Sequence, residues 1–538
     1  MPDMRPKLLA IVIDGPNMVL LEQWLSDGSL PVIGALMQNG ATGRHHHVKQ
    51  YRNERCWDLW LSGKKMDAAG AMFDAASYAY FQNSLQREDR YEPFFALGEQ
   101  FRVCAFDLPA TISANAAGVQ VTGWGSEMNV SAPLSSPPEL IDEILERHGP
   151  DPKVTRRMKV RDHPSGQIEN SYTIPNLYNP CETASLCDKL ILSAMRRADI
   201  CLDLMQREDW DLFLVNFPEI HSANHLLWHL SEAHPMNRVA PSRQAMRAVF
   251  QAIDAAIGRL QQAWPTNGTI MLTTIDHTTS NAMDLPSMAL LPEVLYRWNC
   301  PGKALLAPGA AGTPVAPYRF DYQDLWKHEI WRLTTAQGRE QLISPAELEA
   351  CGDPMSWHPA VWYRNLWPQL TAFALPSVSD GHIRLNVAGR ERHGCIAPDD
   401  YAATLDALSA MLSALIDPRS GQRAVARLER TRSAPDDAPH IPPDLIVCWQ
   451  SNSPLDCIDS PQLGRVGPLP FFRTGGHVAH GSPVEGLAII AGPTIAPGSR
   501  LEDGNLEDIP ATMLALMGAP RPQAMTGRSL LASNALAD

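Results

Sequence analysis

The sequence predicts an α/β fold in which a mainly parallel sheet is flanked by helices. The first observation is a set of short apolar runs, most without polar alternation, as expected for strands covered on both faces. These runs are Leu8–Asp14, Phe101–Asp107, Asp211–Phe217, Thr269–Asp276, Asp444–Trp449 and Gly486–Ala491. The second observation is a set of helical patterns between them, at Pro138–His148, Thr183–Met205, Ser242–Ala263 and Asp400–Ile416. Strands that alternate with helices favour parallel pairing.

The segment that follows the fourth apolar run departs from this rhythm. Residues 285–377 are rich in Pro, Trp and Tyr, and their strand signals are weak. We predict that this segment is an inserted cap. Residues 1–284 and 378–538 are then the first and second parts of the α/β catalytic core.

Composition limits the class of protein. Of the 538 residues, 45% are apolar and 19% are charged, which is typical of a folded chain. The 45 basic and 59 acidic residues give a net charge of −14, which argues against nucleic acid or an anionic membrane as the partner. The early apolar run at Leu8–Ile13 is too short to span a bilayer, and the ten cysteines include no CxxC pair. We therefore predict a cytoplasmic protein with reduced thiols, and homo-oligomer formation stays open.

Candidate metal ligands follow several of the predicted strands. Asp14 ends the first apolar run, and Asp276 and His277 end the fourth. In α/β sheets, ligands bind at the carboxyl ends of the strands, where a carboxylate can hold a cation. The alternative for Asp14 is a helix cap or a turn.

Histidines follow the third strand at helical spacing. His221, His225 and His229 are each four residues apart, so a helix would place them on one face. Two imidazoles at this spacing can bind one metal ion. The alternative is a set of ordinary surface or core histidines.

Two further histidine clusters are present. The segment Thr474–Gly481 contains His477 and His480 among glycines, and each is either a ligand or a loop residue. In the triplet at residues 45–47, adjacent side chains of a strand would point to opposite faces. That triplet is therefore poorly suited to binding one metal ion.

In order along the chain, these motifs resemble the alkaline phosphatase superfamily, in particular its type I phosphodiesterase/nucleotide pyrophosphatase branch. The resemblance covers most of the chain. It rests on AIVIDGPN at 10–17, GWGSE at 123–127, DLFLVNFPEIHSANHLLWH at 211–229, TTIDH at 273–277, NVAGRERHG at 386–394, GGHVAHG at 475–481 and the closing EDIPATMLALMGAPRPQAMTGRSLL at 507–531. It implies an alkaline-phosphatase-like sheet with two divalent metal ions at its carboxyl edge. Zn²⁺ is the expected metal, with Mn or Fe as alternatives.

The resemblance also implies which residues hold these metal ions. The first site would consist of His221, His225 and His477, and the ligands of the second site are Asp14, Asp276 and His277. The family normally has Asp where this chain has His221, so the first site would contain three neutral imidazoles. A metal ion held by neutral ligands is more electron-poor, which should acidify its bound water.

The nucleophile position departs from the family pattern. Family members have a Thr, Ser or modified Cys ten residues before the Gly of a Thr/Ser-Gly step, and counting back from Gly63 reaches Asn53. An amide cannot attack phosphorus, although it can ligate a metal or donate to an oxyanion. A shift of one residue would instead place Glu54 there as a bridging carboxylate. Lys64, Lys65 and Arg390 are candidate cations for binding a small anionic substrate.

The sequence thus predicts a metal-dependent hydrolase of a small phosphate or phosphonate ester. A metal-bound hydroxide would attack the ester, because Asn53 replaces the usual nucleophile. The first alternative is a dinuclear metalloenzyme repurposed for non-phosphoryl chemistry in a biosynthetic pathway. The second is a non-catalytic ligand-binding homologue.

Overall fold

The structure is a computed structural model that describes most of the chain. The described residues are 5–46, 56–64, 91–110, 112–125, 133–154, 156–159, 168–171, 179–231, 234, 245–281, 284–319, 325–351, 353, 355–378, 380–437, 443–450, 454–471, 473–477, 485–532 and 535–536.

The strands of these residues are numbered along the chain. They are β1 (Leu8–Asp14), β2 (Ala41–His46), β3 (Gly98–Phe106), β4 (Ala116–Thr122), β5 (Leu134–Ser136), β6 (Arg156–Lys159), β7 (Ile168–Ser171), β8 (Leu212–Phe217), β9 (Thr269–Ile275), β10 (Thr278–Ser280), β11 (Pro308–Gly309), β12 (Ala372–Leu375), β13 (Gly381–Leu385), β14 (Val425–Arg430), β15 (Leu445–Trp449), β16 (Ile458–Ser460), β17 (Gly464–Val466), β18 (Gly475–His477), β19 (Glu485–Ala491) and β20 (Gly504–Asn505).

The α-helices are numbered in the same way. They are α1 (Met18–Ser26), α2 (Pro31–Gln38), α3 (Cys56–Ser62), α4 (Leu140–His148), α5 (Pro180–Met205), α6 (Glu219–Leu227), α7 (Ala245–Ala263), α8 (Leu291–Asn299), α9 (Trp326–Arg332), α10 (Ala336–Gln341), α11 (Pro345–Ala350), α12 (Pro359–Trp362), α13 (Tyr401–Ser413) and α14 (Asp508–Met517). Short 3-10 helices lie at Trp228–Leu230, Arg364–Gln369 and Pro398–Asp400, and a π-helical turn lies at Pro286–Leu290.

A nine-stranded sheet forms the centre of the fold. Its strand order is β20-β2-β19-β9-β1-β8-β3-β4-β5. The inner strands β9, β1, β8, β3 and β4 pair in parallel, whereas β19 and β5 are antiparallel to their neighbours. The prediction of a mainly parallel sheet flanked by helices is therefore confirmed. One detail differs. The strand predicted at 486–491 is β19, which is antiparallel to β9, and the composition of a strand does not indicate its direction.

Both faces of this sheet are covered by helices. On β1, Leu9, Ile11 and Ile13 face a core that contains residues of α1, α2, α4, α5, α6 and α7. The alternate residues Leu8 and Val12 face a second core, to which α3 and α14 contribute. Because neither face of β1 meets solvent, every residue of the strand is buried and no polar alternation is needed.

A second unit lies between β10 and β18 in the chain. Its antiparallel sheet has the order β12-β13-β15-β14, and a hydrophobic core of its own extends from Leu285 to Phe471. We predicted that the catalytic core resumes at residue 378. That prediction is wrong for β13, β14 and β15, which belong to the antiparallel sheet of the second unit. The strand predicted at 444–449 is β15, which pairs with β13 and β14 and not with the central sheet. Its buried, unalternating sequence fits either sheet, which explains the error.

A buried histidine in the second unit predicts a pH dependence of stability. Nδ1 of His358 accepts from Ala360 N–H at the start of α12, and Nε2 lies 3.1 Å from the Ser377 carbonyl. Burial lowers the pKa of His358 to about 4, against 6.5 for an exposed imidazole. Between these two values the unfolded chain binds a proton that the folded chain does not, so stability is lost as the pH falls.

Replacing His358 by Gln should weaken this pH dependence. The contribution of the imidazole is complete above its unfolded pKa, and about 3 kcal/mol of it is lost by pH ~4. Urea midpoints measured from pH ~7 to pH ~4 should therefore fall less steeply for the variant than for the wild type. Parallel curves for the two proteins would contradict a neutral, buried His358.

Among the described residues, no helix is both long enough and apolar enough to cross a bilayer.

Candidate metal centre

Three parallel strands bring the candidate ligands to one edge of the sheet. Asp14 ends β1, whose neighbours are β9 and β8. Asp276 follows β9, and α6 starts soon after β8. Because parallel strands end at the same edge, these segments lie side by side. The last ligand arrives through β18, which pairs with β10 so that His477 is opposite Thr278.

Three imidazoles form the centre of this arrangement. His221, His225 and His477 each offer a ring nitrogen, and these atoms all lie within 4.8 Å of one another. The first two project from α6 four residues apart, with ring centroids 4.6 Å apart. The ring of His477 lies 5.2 Å from that of His221 and 5.1 Å from that of His225. All three side chains are buried, so the cluster is enclosed by protein and shielded from solvent.

Two carboxylates border the imidazoles. Oδ2 of Asp14 lies 3.5 Å from Nδ1 of His221, and Oδ2 of Asp276 lies 2.8 Å from Nδ1 of His477. Asp276 has a left-handed backbone with φ 56°, and its Oδ1 accepts from the N–H of His277 at 2.6 Å. This backbone turn aims the carboxylate at the imidazoles, and the ring of His277 is buried beside it.

Hydrogen bonds fix the loop that follows Asp14. Nδ2 of Asn224, on α6, donates to the carbonyl of Gly15 at 2.6 Å, and Oγ1 of Thr278 donates to the same carbonyl at 3.0 Å. Nδ2 of Asn17 donates to the carbonyl of Thr278 at 2.7 Å. The segments after β1 and β9 are thus tied to each other and to the helix that carries two of the imidazoles.

The charge states of His225, His277 and Asp276 suit a divalent cation. Burial lowers the pKa of His225 well below its usual value and that of His277 to about 4. Both rings are therefore uncharged at neutral pH, and each can offer a lone pair to a metal ion. Burial alone would raise the pKa of Asp276, but His477 and His221 lower it on balance, which keeps the carboxylate ionised. Neutral imidazoles and ionised carboxylates are the forms that bind metals.

The tautomer of His225 is set by its surroundings. Nδ1 lies 2.7 Å from the carbonyl of Gly475, to which it must donate. The lone pair of the ring is therefore on Nε2, and Nη1 of Arg473 lies 3.1 Å from that atom. A guanidinium N–H thus occupies the lone pair that a metal ion would use, so metal binding at Nε2 requires Nη1 of Arg473 to turn away. The clustered imidazoles and the two adjacent carboxylates are donor types that fit the implied metal.

Known sequences match this chain only over a short stretch. No family model matches it. The 2,3-bisphosphoglycerate-independent phosphoglycerate mutases of Ruegeria sp. (strain TM1040) and Ruegeria pomeroyi are 47% and 48% identical over 60 residues. That stretch is 11% of this chain and 11% of each relative, so the match covers only about a tenth of those proteins.

Solved structures match over nearly the whole length. Wild-type alkaline phosphatase PafA gives a TM-score of 0.50 at 10% identity, with 99% of each chain covered. The chain has an alkaline-phosphatase-like fold. Murine ectonucleotide pyrophosphatase/phosphodiesterase 5 is also similar, with a TM-score of 0.47 at 11% identity over 99% of this chain and 100% of that one.

Within this alkaline-phosphatase-like fold, the predicted ligands are brought together. His221, His225 and His477 form one cluster, Asp14 and Asp276 contact its rings, and His277 lies next to Asp276. Their role as metal ligands stays a prediction.

The other histidines of the motifs have different positions. The α-helix ends at Leu227, so His229 leaves the face shared by His221 and His225, and its Nδ1 lies 3.4 Å from Oγ1 of Thr474. His45 is buried in β2 with Nε2 3.3 Å from Oγ1 of Thr273. His480 lies outside the described residues.

Of the predicted catalytic and substrate-binding residues, the structure describes Lys64 and Arg390. Asn53, Glu54 and Lys65 lie outside the described residues, so their roles stay predictions. Lys64 lies two residues after the end of α3, and its backbone N–H donates to Oγ of Ser62 at 3.2 Å. Arg390 belongs to the second unit, and the structure gives its guanidinium a different function.

The guanidinium of Arg390 is engaged in the interior of the second unit. Its Nη1 and Nη2 donate to both oxygens of Asp444 at 2.8 and 2.7 Å, and Nη2 also donates to the carbonyl of Leu385. We therefore assign Arg390 a structural role.

Sequence reasoning missed the cation that does lie at the site. Arg473 precedes the Thr-Gly-Gly-His motif, and its Nε donates to the fully buried Asp284. Nδ2 of Asn281 donates to the same carboxylate at 2.9 Å. Arg473 is thus held from one side by a buried anion, with Nη1 directed at His225. Its position directly before the motif was the one available signal.

Replacing Gly15 by Ala should disrupt the site far more than an ordinary glycine substitution. A Cβ at Gly15 would lie 2.6 Å from Cγ of His221, and φ is +62°. Gly28 is a matched control, because its φ is +76° and nothing lies within 4 Å of a built Cβ. Backbone strain of about 1–2 kcal/mol is common to both variants. Only Gly15→Ala should also lower Zn²⁺ affinity, as measured by chelator competition; equal affinities would show that His221 does not need this close approach.

Proposed function

We propose that this protein is a metal-dependent hydrolase of a small phosphate or phosphonate ester. The observation that carries the proposal is the group of three buried imidazoles bordered by two carboxylates at the carboxyl edge of an alkaline-phosphatase-like fold. His221, His225 and His477 would hold one metal ion, and Asp14, Asp276 and His277 the other. Bound metal ions would supply Lewis acidity and lower the pKa of water.

The chain's own residues have two tasks in this proposal. Asp276 and Gly475 orient imidazoles: the carboxylate contacts Nδ1 of His477, and the carbonyl accepts from Nδ1 of His225. Such contacts fix the tautomer and direct the other ring nitrogen. Arg473 would bind the anionic oxygens of the ester, because a guanidinium offers several N–H donors in a plane. Its anchor on Asp284 keeps it at the site while Nη1 turns from His225 to the substrate.

Water is the expected source of the attacking oxygen. The amide of Asn53 is not a nucleophile, so a covalent phosphoryl-enzyme formed at that position is not expected. This feature separates the proposal from a double-displacement mechanism.

Metal content and hydrolysis together test the proposal. Elemental analysis of the purified protein should find about two equivalents of a divalent transition metal, with Zn²⁺ expected. Aryl phosphate monoesters, diesters and phosphonates should release product, and chelation should abolish the release until metal is restored. A metal-free preparation that cannot be loaded, or complete inactivity across the ester panel with Zn²⁺, Mn²⁺ and Fe²⁺, would contradict it.

A repurposed dinuclear metalloenzyme is the second candidate. The observation in its favour is His221, which gives the cluster three neutral imidazoles and a donor set that transition metals share widely. In that case Asn53→Thr should create or raise esterase activity. If the variant stays inert with unchanged metal content, position 53 is not a disabled nucleophile position.

A further inference from the structure

A group of charged side chains is buried beside the first turn of α6. The cations are Arg197, on α5, and Lys153, on the segment after α4; the carboxylates are Asp107, Asp151 and Glu219. Four of these side chains have no exposed area, and that of Lys153 is 4% exposed. None of the five is a candidate metal ligand, and the proposed reaction does not use them.

Arg197 connects α6 to the ends of the neighbouring strands. Its Nε donates to Oε1 of Glu219 at 2.9 Å, and its Nη1 donates to Oδ2 of Asp107 at 2.8 Å. Asp107 directly follows β3 and accepts from the backbone N–H groups of Trp124 and Gly125 at 2.9 and 3.0 Å. The first residue of α6 is therefore tied to the segments that follow β3 and β4.

Lys153 contacts the other side of the same helical turn. Its Nζ donates to Oγ of Ser222 and to the carbonyl of Gly125, each at 3.1 Å. Ser222 directly follows His221, and Glu219 precedes His221 by two residues. The two cations thus hold α6 on both sides of the residue that borders Asp14.

Ser193 joins the two halves of the network. Its Oγ lies 2.8 Å from Oε1 of Glu219 and 3.1 Å from Oδ2 of Asp151. One hydroxyl has one proton to donate, so one of these carboxyl groups must be protonated if both contacts are hydrogen bonds. A neutral Asp151 would leave two cations and two anions, and burial raises the pKa of Asp151 accordingly.

Stability alone does not explain this network. Buried ion pairs are often no more stable than apolar residues of the same volume, because removing the charges from water costs so much. Cations near the N-terminus of a helix are also opposed by the helix dipole. In addition, no side chain caps α6 at Pro218. Contacts of the network therefore serve in place of a capping side chain, and they fix the direction of the first turn of α6.

We propose that Lys153 and Arg197 are positioning residues of the metal centre, which fix the first turn of α6 and through it the direction of the His221 ring. The same turn carries the contact between His221 and Asp14. Residues that orient metal ligands from outside typically change metal affinity about 10- to 100-fold. The inference rests on the metal centre of the proposed function but not on the reaction.

Metal titration of Lys153→Met tests the inference. Removal of the ammonium should free the Ser222 side of the turn, so Zn²⁺ affinity should fall about tenfold. The visible absorption spectrum of the Co²⁺-loaded variant should also differ from that of the wild type, because the ligand geometry around the ion has changed. Lys153→Arg retains a donor and should return both readouts towards the wild type.

Arg297→Met is a matched control. Arg297 is also a buried cation, with Nε 2.8 Å from Oε1 of Glu293, but it belongs to the second unit. This variant should lose stability while its Co²⁺ spectrum and Zn²⁺ affinity stay at wild-type values. Arg197→Met should lose stability and change both metal readouts.

The outcomes separate a positioning role from a structural one. If Lys153→Met and Arg197→Met lose stability but keep wild-type spectra and affinities, as Arg297→Met should, the inference is overturned. Should Arg197→Met not fold, Ser222→Ala decides: it must reproduce the effect of Lys153→Met, and the double variant must add nothing to it. A wild-type protein that binds no Co²⁺ would contradict the proposed function instead, so the two failures are distinguishable.

Discussion

Replacement of His225 by Ala is expected to reduce the metal content of the protein from about two equivalents to about one and to lower hydrolysis at least about a thousandfold. A bound metal ion stabilises transition-state charge by several kcal/mol, and each 1.36 kcal/mol corresponds to about a factor of ten in rate. His225 is expected to be essential because its Nδ1 donates to the carbonyl of Gly475, which leaves Nε2 as the ring atom that would bind the metal once Nη1 of Arg473 turns away.

His229→Ala is the matched control for this experiment. His229 is the next histidine at the same spacing, and it is buried like His225, but its ring contacts Thr474 instead of the imidazole cluster. Elemental analysis should find the full metal content in this variant. If His225→Ala also keeps two equivalents, or if His229→Ala loses one, the assignment of the ligands is wrong.

Arg473→Gln is expected to weaken the binding of inorganic phosphate to the metal-loaded protein about 10- to 100-fold. A hydrogen bond to a charged group contributes about 1.5–3 kcal/mol, and Gln keeps a donor but has no charge. The metal content should be unchanged, because Arg473 is not a ligand. Isothermal titration with phosphate, combined with elemental analysis, measures both quantities.

Arg419→Gln is the control for the loss of a paired arginine. Nε and Nη2 of Arg419 donate to the two oxygens of Asp456 at 2.8 and 2.7 Å within the second unit, and neither residue is a candidate ligand. This variant should be less stable and should bind phosphate normally. Equal losses of phosphate affinity in the two variants would contradict a specific role for Arg473.

Strand positions in the core could be predicted because a strand that is buried on both faces is apolar along its whole length. The run Leu8–Asp14 is β1 to the residue, and its alternate side chains face two separate cores. The direction of a strand and the sheet to which it belongs have no such pattern in the sequence. β15 has the same apolar character as β1, yet it belongs to the antiparallel sheet of the second unit.

The ligand cluster could be predicted as far as its residues carry a motif. His221 and His225 have helical spacing, and Asp14 and Asp276 follow apolar runs. Arg473 and the anchor Asp284 have neither pattern and are separated by 189 positions. The network around Arg197 is visible only in part: Asp107 ends an apolar run, but Arg197 lies 90 positions away and an isolated charge is ordinarily solvated.

The way in which the second unit joins the core has an evolutionary consequence. The chain leaves the core after Ser280 and returns at Gly475, and these two residues are partners in the pairing of β10 with β18. Entry and exit thus form a two-stranded stem, extended by the hydrogen bond from Asn281 N–H to the carbonyl of Thr474 at 2.9 Å. A segment that can be exchanged as a whole needs ends that lie side by side. Here a short hairpin turn could join β10 directly to β18 if the second unit were removed. Recombination at this stem would exchange the second unit while leaving the candidate ligands Asp14, His221, His225, Asp276 and His277 in place.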